Sequence, residues 1–488
     1  MKMLARILGL RVRMLARILG CMTLCLFVVS CSPAEQESVN YNALEKHVVL
    51  PDEIAEAQTE SNVVNEAHPM SAAQWLGDYA SVRILREQAG LYVEEENYFQ
   101  AAQLYEKAAN LGESFPSSSS RTLLLSAAEH YVKASEKALA LNALQEAAEK
   151  GARWSDYVEF SAKYSALRDE EAFQSIISKL ENNRNIFEKR YQDPEKTPLV
   201  FSDVKRFWKA YDLALNEESD EKKAAIFRHF YLAEGSPGLI DYHWIKTGTA
   251  EELVKRIDEI PGFYDGIRDR TLTAEGYGVD IRAGFRRFKA IYPEAYFPPV
   301  TFVIGRLNSG GTAGEEGMLI GLDVWSWTEG VPLDGISKGF QKVLQSFSLE
   351  SLPWVVVHEQ VHAMQSYSGE PSLLLSVLQE GSADFLAKLA LPEQSNPPYY
   401  EWGLQHETRI WARFVEEMDG NDLSNWIGNN SSNISADWHA DVGYFLGARI
   451  AEAYYKQAED KEQAVRDLLY VKNPHDILVA SGYAEKFH

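Results

Sequence analysis

Two apolar runs constrain this chain most: "WVVVHEQVHAM" at 354–364 and "LLLSVLQEGSADFLAKLAL" at 373–391. Each is long enough for a buried helix, and each is interrupted by titratable groups: His358, Glu359 and His362 in the first, Glu380 and Asp384 in the second. A helix that is apolar around most of its circumference belongs in a core. Charges in a core are costly unless they are paired or bound to a metal. The fold therefore has to bring the polar groups of the two segments together.

Spacing says how. Residues i and i+4 of a helix share a face with Cβ atoms about 5–6 Å apart, so both imidazoles of an HExxH can reach one ion at about 2.0 Å. Ser351 with Pro353 gives a start signal for that helix. Glu359 projects to the side where a metal-bound water would sit and can take its proton. Glu380 and Asp384 are also four apart on one face, which makes Glu380 the third ligand and Asp384 the acceptor that orients His358. A metzincin would need glycine and histidine where this chain has Gln365 and Ser368, so that class is excluded. The bland alternative is a pair of core histidines bonded to backbone carbonyls.

The chain's beginning is read as an export signal. Lys2, Arg6, Arg11, Arg13 and Arg17 precede "ILGCMTLCLFVVS" and Cys31, with no acid among them and an apolar stretch too short for a comfortable span. Val28, Val29 and Ser30 before Cys31 resemble a bacterial lipobox, which implies cleavage and lipidation at Cys31; a plain signal peptide or an uncleaved anchor is the alternative. Residues 1–30 are thus a lipoprotein signal, and the expected location is the cell envelope. Ser32 after the cysteine favours the outer membrane, on its periplasmic or surface face. Contact with the membrane would come through the lipid, because a net charge of −23 gives no attraction to anionic headgroups. The same charge argues against nucleic acid as a partner. "MLARILG" occurs at 3–9 and again at 14–20, so Met14 is a second candidate start.

At 488 residues several domains are expected, at about 100–200 residues each. Residues 31–72 are polar and poor in aromatics and read as a tether. From 73 to 190 the pattern is helical, with small and aromatic residues alternating in "GLYVEEENYFQAAQLYEKAANLG" up to a stop at Gly112. It resembles tetratricopeptide repeats, with ordinary antiparallel helices as the alternative, and either would offer a surface for a protein partner. Residues 191–292 read as helical framework, with Trp208, Tyr211, Phe227, Phe230, Tyr231 and Trp244 as core. In 293–488, "PPVTFVIGRL" and Met318–Trp325 read as the two strands of a hairpin ahead of the HExxH helix, around the glycine-rich turn Asn308–Thr312. The fold class expected is mainly α with a smaller β part.

"YPEAYFPPVTFVIGRLNSGGTAGEEGMLIGLDVW", "HEQVHAMQ" and "EGSADF" together resemble a family of predicted zinc-dependent proteases of the gluzincin type, over roughly 280–460. The resemblance implies a gluzincin-like catalytic core, one Zn2+ held by His358, His362 and Glu380, and Glu359 as base. It implies a C-terminal donor to the oxyanion, for which Tyr444 is the first candidate and His439 the second. Met318–Trp325 would be the edge that pairs with extended substrate. The expected function is therefore an envelope zinc metallopeptidase acting on peptide or protein substrates. Two alternatives stand beside it: a tetratricopeptide-like adaptor lipoprotein with a structural or degenerate zinc site, and a zinc hydrolase acting on a non-peptide amide.

Overall fold

The computed structural model describes residues 72–112, 119–367, 371–394, 396–429 and 437–487. The signal segment, Cys31 and nearly all of the tether lie outside the described residues. The chain forms two compact units, whose described parts are 72–191 with 202–259, and 192–201 with 260–487. The stretch read as framework is therefore divided between them.

In the first unit, α1 (Ala72–Glu94), α2 (Tyr98–Leu111), α3 (Ser119–Lys133) and α4 (Lys137–Glu149) each pack on the next. Buried alanines at 101, 102, 108, 127, 128, 143 and 147 allow that close approach. The helical run up to Gly112 is divided at Glu96, which has φ +58°. Asn97 then starts α2 by accepting from the Gln100 N–H at 3.4 Å. After α5 (Ser155–Phe160) and α6 (Glu171–Arg190), the helices α7 (Ser202–Ala214), α8 (Asp220–Phe227), α9 (Pro237–Tyr242) and α10 (Ala250–Glu259) complete the unit. Phe207, Trp208, Tyr211, Phe227 and Tyr231 form their core, while Trp244 is only partly buried.

The second unit opens with β1 (Leu199–Val200), followed by α11 (Pro261–Thr273) and α12 (Gly278–Ile291). Strands β2 (Val300–Val303), β3 (Gly311–Ala313) and β4 (Met318–Gly321) join β1 in a sheet of order β1-β2-β4-β3. β2 runs parallel to β1 and to β4, with Thr301 opposite Leu319, and only β3 runs antiparallel to β4. The expected hairpin is thus corrected. Val300–Val303 and Met318–Gly321 are buried at every position, which suits adjacent parallel interior strands rather than the two arms of a half-exposed hairpin. β4 also ends at Gly321, because Leu322–Trp325 turns into the short helix α13, and the edge strand on this side of the sheet is β3.

The remaining helices are α14 (Lys338–Ser346), α15 (Leu352–Met364), α16 (Leu373–Ala390), α17 (Pro398–Glu417), α18 (Val442–Gln457), α19 (Lys461–Leu469) and α20 (Pro474–Ser481). α15 carries the HExxH. It starts at Leu352, with Pro353 in its first turn and no side-chain cap from Ser351, since the chain enters it from a 3-10 turn whose cap is Ser348. Helix α16 is central and packs on α12, α15, α18, α19 and α20. Leu373, Leu374, Val377 and Leu378 of α16 join Phe414, Trp426, Phe445 and Leu446 in a core that walls in the polar groups of the two opening segments. Among the described residues no helix is long and apolar enough to cross a membrane.

Candidate metal centre

α15 and α16 bring their polar faces together. His358 Nε2 lies 3.0 Å from His362 Nε2, and Glu380 Oε2 lies 3.7 Å from the first and 3.3 Å from the second. Donors held at about 2.0–2.1 Å around one tetrahedral ion stand about 3.3 Å from one another. The three edges scatter around that value, and all three donors are nitrogen or carboxylate oxygen, the chemistry zinc takes. These residues fit a zinc ion.

The supports behind them are ordered. Asp384 Oδ1 is 2.9 Å from His358 Nδ1, at ion-pair distance though not along a hydrogen-bond direction, and Asp384 Oδ2 accepts from the Tyr399 hydroxyl at 2.6 Å. His362 Nδ1 lies 2.6 Å from Gln365 Oε1. Burial works against charge on both His358 and Glu380, yet their neighbours prevail. Asp384 and Glu380 raise the imidazole, and His362 with His358 pulls the Glu380 carboxyl down. The carboxylates of Glu380 and Asp384 thus favour a positive charge on or among these donors. A metal ion in this place would supply that charge permanently and join α15 to α16.

Glu359 projects beside the cluster and is covered by β3. A Cβ placed on Gly311 would come within 3.0 Å of Glu359 Oε1. The glycine-rich turn thus approaches Glu359 closely, and a side chain at Gly311 would press on its carboxylate. Glu359 Oε2 is buried and has no hydrogen-bond partner among the described residues, and burial raises its pKa. Of the two oxyanion candidates, Tyr444 is at the site, its ring centroid 6.3 Å from that of His358 and 5.7 Å from that of Tyr399. His439 is not. Its ring packs against Trp402 at 6.0 Å and its Nδ1 meets the neighbouring Ala440 carbonyl, which leaves it without contact to the three clustered residues.

Tyr399 and Gln365 were missed by sequence reasoning. Tyr399 reaches Asp384 from α17 across a connection with no fixed spacing, so no pattern marks it. Gln365 stands next to the motif, and a polar residue directly after an apolar helix is the signal that was there to read.

Fold and site define a mainly helical α+β protein with a buried centre of two histidines and a carboxylate. The chain belongs to the family of the gliding motility protein GldB, a lipoprotein family whose model matches residues 242–485, half of the chain. No curated protein and no solved structure matches it. The match contains every residue of the cluster and overturns both the gluzincin-protease resemblance and the peptidase function it implied. The physical reason is that HExxH with a downstream glutamate specifies a metal-binding geometry, which any pair of adjacent helices can build; it does not specify hydrolysis. A lipoprotein family agrees with the coarse expectation of a chain anchored at the cell envelope.

Proposed function

We propose that this protein is a lipid-anchored adaptor of the gliding machinery. Its helical unit, residues 72–191 with 202–259, offers the surface for a partner protein. His358, His362 and Glu380 hold one zinc ion that fastens α15 to α16. Family membership is the observation that carries the reading. The buried cluster supports the structural role of the ion: His358 and Glu380 are 7% and 2% exposed, and β3 covers the neighbouring glutamate. Cys31 is the anchoring residue, and the outer membrane is the proposed location.

The test is complementation in the native cell. Deleting the gene should stop movement over a surface, and the full chain should restore it. Cys31→Ser should leave the protein exported and folded but should not restore movement. Normal gliding in the deletion strain would overturn the proposal.

A further inference from the structure

We propose that Gln365 is the positioning residue that commits His362 to metal binding, by holding the Nδ1 hydrogen of His362 outward so that its Nε2 lone pair faces His358 and Glu380. This inference rests on the zinc reading above and adds a residue and an atomic role to it.

The assignment follows from which atoms can donate. Gln365 Nε2 lies 2.8 Å from the carbonyl oxygen of Gln379, and a carbonyl oxygen only accepts. The amide nitrogen must therefore point there, and the two ends of the Gln365 amide cannot be exchanged. Its oxygen is then the atom 2.6 Å from His362 Nδ1. An amide oxygen also only accepts, so His362 Nδ1 carries a hydrogen, and the neutral ring is left with a bare Nε2. That nitrogen is the one 3.0 Å from His358 Nε2 and 3.3 Å from Glu380 Oε2.

His358 Nδ1 lies 2.9 Å from Asp384 Oδ1 without a hydrogen-bond direction, so it is the His362 ring whose hydrogen is fixed by an acceptor. The Nε2 lone pair of His362 therefore faces His358 Nε2 and Glu380 Oε2. A lone pair and a carboxylate gathered this closely favour a cation among them. The arrangement made by Gln365 is therefore one that suits an ion.

Gln365 is itself held firmly. It is the first residue beyond α15, with ψ 133°, and its N–H donates to the Val361 and His362 carbonyls. Next to it, the Ser366 N–H donates to the Leu469 carbonyl at 2.9 Å, and the Tyr367 hydroxyl donates to the Leu468 carbonyl at 2.7 Å. A strap tied to α16 and to the end of α19 thus fixes the amide that fixes the imidazole. Preorganisation of this kind in the shell around a metal ligand is typically worth about 10–100-fold in affinity.

The experiment uses the purified full chain and two variants, Gln365→Leu, which removes the acceptor, and Gln365→Glu, which keeps one. Zinc affinity is measured by competition with a chelating dye. The ring hydrogens of His362 are read from imidazole 15N shifts in the metal-free chain. Gln365→Leu should bind zinc about 10–100-fold more weakly and should move the His362 hydrogen from Nδ1 to Nε2. Gln365→Glu should recover most of the affinity and keep the hydrogen on Nδ1, a rescue that a merely space-filling role would not give. Wild-type affinity in Gln365→Leu with an unchanged His362 spectrum would overturn the inference while leaving the metal reading intact. If the wild-type chain binds no zinc, the metal reading fails, and the nitrogen spectra still decide whether Gln365 sets the His362 ring: an unmoved hydrogen in Gln365→Leu overturns the inference, and a moved one upholds that control.

Discussion

Gly381 on α16 and Gly447 on α18 meet backbone to backbone. A Cβ on Gly381 would lie 2.1 Å from the carbonyl carbon of Gly447, and one on Gly447 would lie 1.8 Å from the carbonyl oxygen of Val377. No side chain can yield at such a contact, so a methyl group has to part the helices, one of which carries Glu380 and the other Tyr444. Overpacked sites of this kind cost about 1–3 kcal/mol or more. Gly381→Ala and Gly447→Ala should each lower the unfolding free energy measured by denaturant titration by that amount and weaken zinc binding, because Glu380 moves with α16. Wild-type stability in both variants would mean that the helices do not cross here as described.

Zinc should stabilise the fold if it fastens α15 to α16. A ligand at 1,000 times its Kd adds about 4 kcal/mol to the stability of the form that binds it. Thermal unfolding followed with and without zinc should therefore show a large upward shift in Tm for the wild type. His362→Ala should lose the bound ion and the shift together. A Tm indifferent to zinc in a chain that carries the ion would contradict a structural role.

Asp441 gives the protein a pH dependence of unusual sign. Burial raises its carboxyl, the Asn429 and Gly428 N–H groups that it accepts work against this, and the charges of Glu380 and Asp384 add to the rise, for a net value of about 7. The folded state then holds a proton that the unfolded chain releases near pH 4. The resulting stability is fully present below the unfolded pKa and is lost as the pH rises to about 7, by on the order of a few kcal/mol. Asp441 has φ +58°, a conformation that asparagine tolerates, and Asn keeps an oxygen for the two N–H groups. Asp441→Asn should therefore flatten the decline in Tm between pH 5 and pH 8 in the metal-free chain. An unchanged decline would assign it to other groups.

The meeting of His358, His362, Glu380 and Asp384 was legible because it depends on spacing within two unbroken helices whose apolar surroundings forced them inward. The parallel pairing of β2 with β4 was not. It depends on the three-residue β3 taking the edge, and Gly311–Ala313 carries too little pattern to reveal that. Gln365 and Tyr399 act from where a helix ends and from a third helix, places that intrahelical spacing does not reach. Family membership was hidden for a different reason. The motif residues report the chemistry of ion binding, and that chemistry is shared by proteins with unrelated tasks.

We propose an adaptor that uses its metal centre for structure and has no need of Glu359 as a base. Complementation of the deletion strain with Glu359→Gln tests it most directly, with zinc content and Tm of the variant measured alongside. A protein of this kind gives a folded, zinc-loaded variant that restores gliding as fully as the wild type. A variant equally folded and loaded that leaves the cells immobile would contradict it.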